Sequence, residues 1–190
     1  RFIKLHGNDF LAIACENGFQ LWTADGERMV FLSQLSELID DTDRRRNLFM
    51  SGATSTEEEY LYIGSSLGHI FVFEVLNANC EGTKLKTVMK KTEHPITFLD
   101  AVGKVCIAGD ENGGILICHS NSLDSELLHS FEGAGFPCTS IASRPSFFAA
   151  SFSTGHLRFY SLKNYSLQFE ITAHVRPISA IDISSDGEVV

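Results

Sequence analysis

The sequence predicts an all-β fold, a β-propeller of four-stranded blades, and three observations carry that expectation. The first is a recurring unit in which a short apolar run enters a glycine turn and leaves through a second apolar run. Its four copies span residues 12–22, 62–73, 106–118 and 150–160 and end on Trp22, Phe73, Cys118 and Tyr160, at steps of 51, 45 and 42 residues. A period of about 40–45 residues holding several strands is the signature of propeller blades. The second is a proline marker. Pro95, Pro137 and Pro177 stand at steps of 42 and 40, and Pro95 and Pro137 each precede a turn glycine, Gly113 or Gly155, by 18 residues. Proline suits the first residue of a strand, where no ladder donor is needed. The third is composition: fifteen phenylalanines and fifteen glycines against four prolines fit strands and turns.

The elements follow in order. In the first unit, residues 1–35, Arg1–His6 reads as strand a, with strands b, c and d after it. Residues 36–48 are a longer insertion. Leu35, Leu38 and Ile39 have helical spacing and admit a short helix, but Asp40-Asp41-Thr42-Asp43 continues no apolar face, so a solvated loop is expected. The second unit, 47–91, places strands at 49–52, 60–64, 70–75 and 85–89. The third, 95–132, places them at 96–101, 105–108, 115–119 and 126–131, with Asn112-Gly113 supplying the positive φ of a tight turn. The fourth, 136–173, places them at 138–142, 147–151, 157–161 and 166–171. A partial fifth, 177–190, gives strand a at 177–184 and a turn at Ser185-Asp186-Gly187. The chain starts without Met inside a strand and stops at Val190, so the expectation is a fragment of a longer protein, about four blades plus part of a fifth. A seven-bladed ring at about 42 residues per blade needs about 290 residues.

Composition and charge exclude several classes. Apolar residues make up 44% and charged residues 21%, ordinary for a globular chain. The net charge of −9 argues against nucleic acid, whose binding rests on Lys and Arg. Arg44-Arg45-Arg46 follows three aspartates and reads as a locally neutralised, solvated loop. No apolar stretch approaches 18 residues, so no membrane insertion is expected. The five cysteines are odd in number and lack Cys-x-x-Cys spacing, which points to free thiols rather than a disulfide or metal framework.

These residues resemble WD40 repeats, in degenerate form. That family's unit carries Gly-His before strand a, an Asp-Gly turn between b and c, and Trp-Asp ending c. Here Trp22 is followed by Thr23, and Phe73, Cys118 and Tyr160 stand in for Trp. The turn aspartate is replaced by Glu16, Leu67, Asn112 and Thr154. Ala173-His174-Val175-Arg176-Pro177-Ile178 and the stretch from Ile181 to Asp186-Gly187 match the family best. A closer likeness to one member rests on residues 60–75 and 94–187. The family's His–Ser/Thr–Asp–Trp tetrad cannot be assembled, so blade stability is expected to come from apolar packing. Trp22, Phe73, Cys118, Tyr160, His174, Asp186 and Gly187 are the structural residues the resemblance implies. It also implies a propeller, commonly seven-bladed, that scaffolds protein assemblies without enzymatic activity.

The seven histidines show no His-x-x-x-His pair or converging ligand set, so no metal and no cofactor is expected. Ser153-Thr154-Gly155-His156 lacks the Gly-x-Ser-x-Gly elbow, and Gly109–Gly114 lacks the P-loop lysine. The function expected is a noncatalytic scaffold that binds proteins on its rim within a larger assembly. The alternative is an enzyme with its site at the propeller axis, which requires titratable residues converging there from several blades. Partner contacts are placed on the b–c turns and blade entries: Glu16, Asn17, Leu67, Glu111, Asn112, Thr154, Phe136 and Arg176. Phe136 is favoured among them, the alternative being that it folds inward to cap the core. The setting expected is cytoplasmic, with a ciliary axoneme or other cytoskeletal structure as its finer form.

Residues 1–190 alone are expected to expose unpaired edge strands and to associate or remain partly unfolded. Sedimentation and thermal melting check this; a monomer with one sharp melt overturns it.

Overall fold

A computed structural model describes residues 1–16, 18–44, 46–56, 59–120 and 125–184. Their strands form four separate four-stranded antiparallel sheets, each a simple meander. The first blade holds β1 (Phe2–Leu5), β2 (Asn8–Cys15), β3 (Gly18–Thr23) and β4 (Met29–Gln34). The second holds β5 (Met50–Ser55), β6 (Tyr60–Ser65), β7 (His69–Glu74) and β8 (Lys84–Lys90). The third holds β9 (Ile96–Val102), β10 (Val105–Asp110), β11 (Ile115–Ser120) and β12 (Ser125–Phe131). The fourth holds β13 (Cys138–Arg144), β14 (Phe147–Phe152), β15 (His156–Ser161) and β16 (Ser166–Thr172). The first strand of each blade lies beside the first strand of the next, so β1, β5, β9 and β13 line one inner wall. This is propeller architecture.

Side-chain alternation decides the packing. Successive residues of a strand point to opposite faces. Along β7, Phe71 and Phe73 enter the core shared with the first blade, while Ile70 and Val72 enter the core shared with the third. Along β10 and β11, Cys106, Ala108, Leu116 and Cys118 face the second blade, and Ile107, Ile115 and Ile117 face the fourth. Each middle blade is therefore apolar on both faces.

The markers that set the register occupy one recurrent place. A bulge falls just before each of them in the pairing of strand c with strand d: at Leu21/Trp22, Val72/Phe73, Ile117/Cys118 and Phe159/Tyr160. The last three of these markers then point to the preceding blade. Phe73 meets Phe31 edge-on at 5.6 Å, Cys118 joins the core with Tyr62 and Val72, and Tyr160 packs at 4.4 Å from Phe131 while stacking on Phe148. Phe73, Cys118 and Tyr160 are buried. Trp22 is half-buried, because no blade among the described residues covers that face of the first sheet. Phe2, Met29 and Leu32 are exposed on the same sheet. At the other end, Leu167, Phe169 and Ile171 of β16 are exposed.

Two expectations are corrected. The insertion is not a solvated loop. It forms a 3-10 turn (Leu35–Leu38) and one helical turn, α1 (Asp41–Arg44), anchored by buried Leu35, Ile39 and Leu48. Asp43 is also buried, because its carboxylate meets Lys90 Nζ at 2.7 Å, His69 Nε2 at 3.2 Å and Arg46 at 3.3 Å. The second correction concerns the fifth unit, where residues 177–182 form no strand. Elsewhere strand a owes its ladder to strand b. Here Ile178 and Ile183 pack on Ala142, Leu157 and Phe159, and the Ile181 amide donates to Ser140. Asp186 and Gly187, and the expected turn they belong to, lie outside the described residues, as does much of the expected loop at 120–125.

Removing a buried aromatic leaves a cavity. Tyr160→Ala and Phe73→Ala are expected to cost about 3–5 kcal/mol each, and Trp22→Ala less than about half of that. Urea titration of the three variants checks the order; a Trp22 cost equal to the other two overturns the register.

The Asp43 clamp sets an acid dependence. The Lys90 ammonium holds the Asp43 carboxyl below its usual value of 3.8, against the opposing effect of burial. Burial holds the His69 imidazole below its usual 6.5, with Asp43 pulling it up. In both cases the unfolded chain binds protons more readily, so stability falls with falling pH. The His69 contribution is lost first, below about 6.5, and the Asp43 contribution below about 3.8. Asp43→Asn is expected to lower stability at pH 7 and to flatten the decline below pH 4. Equal slopes for wild type and variant in acid denaturation overturn this assignment.

Candidate functional site: the rim of turns and blade entries

The b–c turns close in one way in three blades. Gly68, Gly113 and Gly155 each donate to the carbonyl three residues back, of Ser65, Asp110 and Phe152. All three glycines have φ of about +80°, and a Cβ on any of them would collide with a carbonyl oxygen of the next entry loop: Thr92, Phe136 or His174. Only glycine satisfies both demands. Each turn also holds its own blade's entry. Ser66, Glu111 and Ser153 donate backbone hydrogen bonds to the carbonyls of Phe49, Pro95 and Pro137 at 2.9–3.0 Å. Turns and entries therefore form one continuous rim of interlocked main chain.

Side chains reinforce it. Asp110 is buried, its Oδ1 accepting from the amides of Asn112 (2.9 Å) and Gly114 (2.7 Å), its Oδ2 from the Thr92 hydroxyl (2.9 Å). Ser65 Oγ repeats the pattern, accepting from the amides of Leu67 and His69. The role of Asp110 escaped the sequence reading; the signal that could have found it is an aspartate two residues before Asn112, whose amide it accepts as in an Asx turn. Asp43 gave no such signal.

The residues expected at the rim divide. Glu16, Glu111, Phe136 and Arg176 are exposed, and Asn112 and Thr154 are partly so. Phe136 is 50% exposed; it does not fold into the core. Thr154 Oγ1 is engaged by His156 Nδ1 at 2.8 Å. Leu67 is 5% exposed and belongs to the core between the first two blades, so it presents no side chain to a partner. Asn17 lies outside the described residues. His174 is exposed and contributes through its backbone amide, which donates to Gly155. Two exposed rim residues escaped the sequence reading: Phe49, at the entry to β5, and Val175, 97% exposed beside Arg176.

Two other places carry chemistry-bearing side chains. On the inner wall, the Ser143 hydroxyl donates to Asp100 at 2.7 Å, and Arg1 lies 3.4 Å from the same carboxylate. Burial raises the Asp100 pKa, with Ser143 and Arg1 opposing. A hollow of about 400 Å³ opens here, also lined by Arg144 and Asp182. Titratable groups thus do converge on the axis, but they hold structure: Arg1 donates to the Leu99 carbonyl and Arg144 to those of Ser143 and Ser184. The second place is Ser65 Oγ, 3.4 Å from His69 Nδ1, with Asp43 on the far ring nitrogen. Its composition is that of a hydrolytic relay. The serine is 0% exposed and its oxygen already accepts two amides, so it caps a turn and cannot reach a substrate. Among the described residues, no group of three or more His, Cys, Asp or Glu is arranged to hold a metal ion. No helix among them is long and apolar enough to cross a membrane.

Comparison with known proteins accords with this geometry. WD repeat-containing protein 54 of Mus musculus is 26% identical over 184 residues, which cover 93% of this chain and 53% of the relative. The Homo sapiens protein of that name is 25% identical over 182 residues, with the same coverage. The chain thus spans about half the length of these relatives. Among solved structures, a chain of the mitotic checkpoint complex superposes with a TM-score of 0.73 at 14% identity, covering 95% of this chain and 53% of that one. Raptor of Chaetomium thermophilum superposes with a TM-score of 0.69 at 14% identity, covering 96% of this chain and 16% of that one. At such identity the two structures share the fold alone. The WDR54 profile, by contrast, matches residues 3–190, spanning all four blades and their interlocked rim, and the chain belongs to that family of WD-repeat proteins.

Proposed function

We propose that this protein is a noncatalytic scaffold that binds segments of other proteins on the rim of b–c turns and blade entries, as part of a larger assembly. One observation carries the reading. The rim backbone is fixed by turn-to-entry hydrogen bonds, while Phe49, Phe136, Val175 and Arg176 are held out to solvent on it. Rigid display of an aromatic and an arginine lowers the ordering cost of association and supplies the residue types that dominate interfaces. The family supports a protein-interaction role, and the fold is shared with subunits of protein complexes. The enzyme reading has the polar inner wall in its favour, but the groups there are hydrogen-bonded to carbonyls and to one another. Five free cysteines support a cytoplasmic setting.

In cross-linking mass spectrometry of the full-length protein with its captured partners, links are expected at the rim. Phe136→Ala is expected to weaken capture about tenfold or more without changing the melting temperature. Links confined to the outer strands β4, β8, β12 and β16 or to residues 40–46 overturn the proposal.

A further inference from the structure

The third sector of the rim has a charge character of its own. Its b–c turn (residues 111–114) and the loop leading to the fourth blade (132–137) are joined main chain to main chain. The Gly135 amide donates to the Asn112 carbonyl at 2.9 Å, and a Cβ on Gly133 would strike that same carbonyl. This contact sets the backbones of Glu111, Glu132 and Phe136, each next in sequence to a residue of the contact, on one sector of the rim. All three are exposed, and neither glutamate has a counter-ion among the described residues. Asp110 adds a third carboxylate beneath them, fixed by Asn112, Gly114 and Thr92. Lys91 is the lysine facing this sector; Lys90 is taken up by Asp43 and Glu93. A hollow of about 320 Å³ opens between turn and loop, walled by His94, Asn112, Phe131 and Glu132.

We infer that this sector takes an arginine-bearing basic peptide, its guanidinium lying over the Phe136 ring and its remaining donors on Glu111 and Glu132. The chemistry fits in three ways. A guanidinium over an aromatic face is attracted by the ring quadrupole. Arg158 over Phe152, 4.7 Å from the ring centroid and paired with Glu170, is the same arrangement already built into the neighbouring blade. Finally, the chain's net charge of −9 favours approach of a cationic segment. The inference rests on the rim reading and adds the partner's charge to it.

The test uses the intact chain and three fluorescein-labelled nonapeptides, alternating Gly-Arg, Gly-Glu and Gly-Ser, in fluorescence anisotropy at about 50 and 200 mM salt. The Gly-Arg peptide is expected to bind best and to weaken with salt. Phe136→Ala and the double variant Glu111→Gln, Glu132→Gln are each expected to weaken it about tenfold, Phe136→Tyr to preserve it, and the distant control Glu81→Gln to leave it unchanged. Equal loss in the Glu81 control overturns the site, since attraction is then to net charge alone. Phe136-dependent binding of the Gly-Glu or Gly-Ser peptide in preference to Gly-Arg overturns the charge assignment while leaving rim binding intact. No effect of Phe136→Ala on peptide binding or on partner capture overturns both readings.

Discussion

Strands b and c of each blade carry large apolar side chains on both faces, and that constraint organises the rest. A sheet of this kind cannot leave one face in water, as a two-layer sheet can. It must be flanked, so stability resides in the contacts between blades. The core clusters follow the junctions between consecutive blades and then the packing of residues 178–183 on the fourth. The marker at the end of strand c sits at such a junction each time. Phe73, Cys118 and Tyr160 are buried because a blade precedes theirs, and Trp22 is only half-buried because none does among the described residues. The largest of the four markers is thus the least covered. The same logic explains why Leu167, Phe169 and Ile171 of β16 stay exposed while Phe71 and Ile70 of β7 do not.

What was legible in the sequence was whatever depends on local chemistry and period. The strands of the second to fourth blades lie within three residues of their expected bounds, because alternation and turn glycines are properties of neighbouring residues. The insertion was illegible. Its acidic run looks solvated, and only the fold brings Lys90 from β8 and His69 from β7 to Asp43. A carboxylate becomes a buried residue when counter-ions from other strands meet it, and nothing at positions 40–44 records that. At the rim, Phe136 could be placed from its glycine-rich loop. The burial of Leu67 could not, since it depends on the core between the first two blades.

Among the described residues the turns are tied without a complete family tetrad. A turn must be tied to the entry loop beside it. In the third blade Asp110 and Thr92 do so through one side-chain hydrogen bond, and in the second the tie passes from Ser65 through His69 to Asp43 on the insertion. In the fourth blade Phe152 takes the acceptor's place, with Arg158 over its ring, and the tie is left to the main chain. Backbone bonds between turn and entry are common to all three. Because they do not depend on side-chain identity, they tolerate the divergence of the motif that side-chain tetrads would not.

That division of labour bears on where function can sit. On the inner wall, Arg1, Asp100, Ser143 and Arg144 are bound to one another and to carbonyls, so altering any of them disturbs the packing of strands β9 and β13. At the rim the main chain carries the mechanical load through the Glu111 amide and through Asn112, Gly135, Pro137 and His174, while the side chains of Glu111, Glu132, Phe136 and Arg176 are exposed. Residues released from structural duty yet held in fixed positions are those a protein can devote to recognition. The rim meets both conditions, whereas the axis meets only the second.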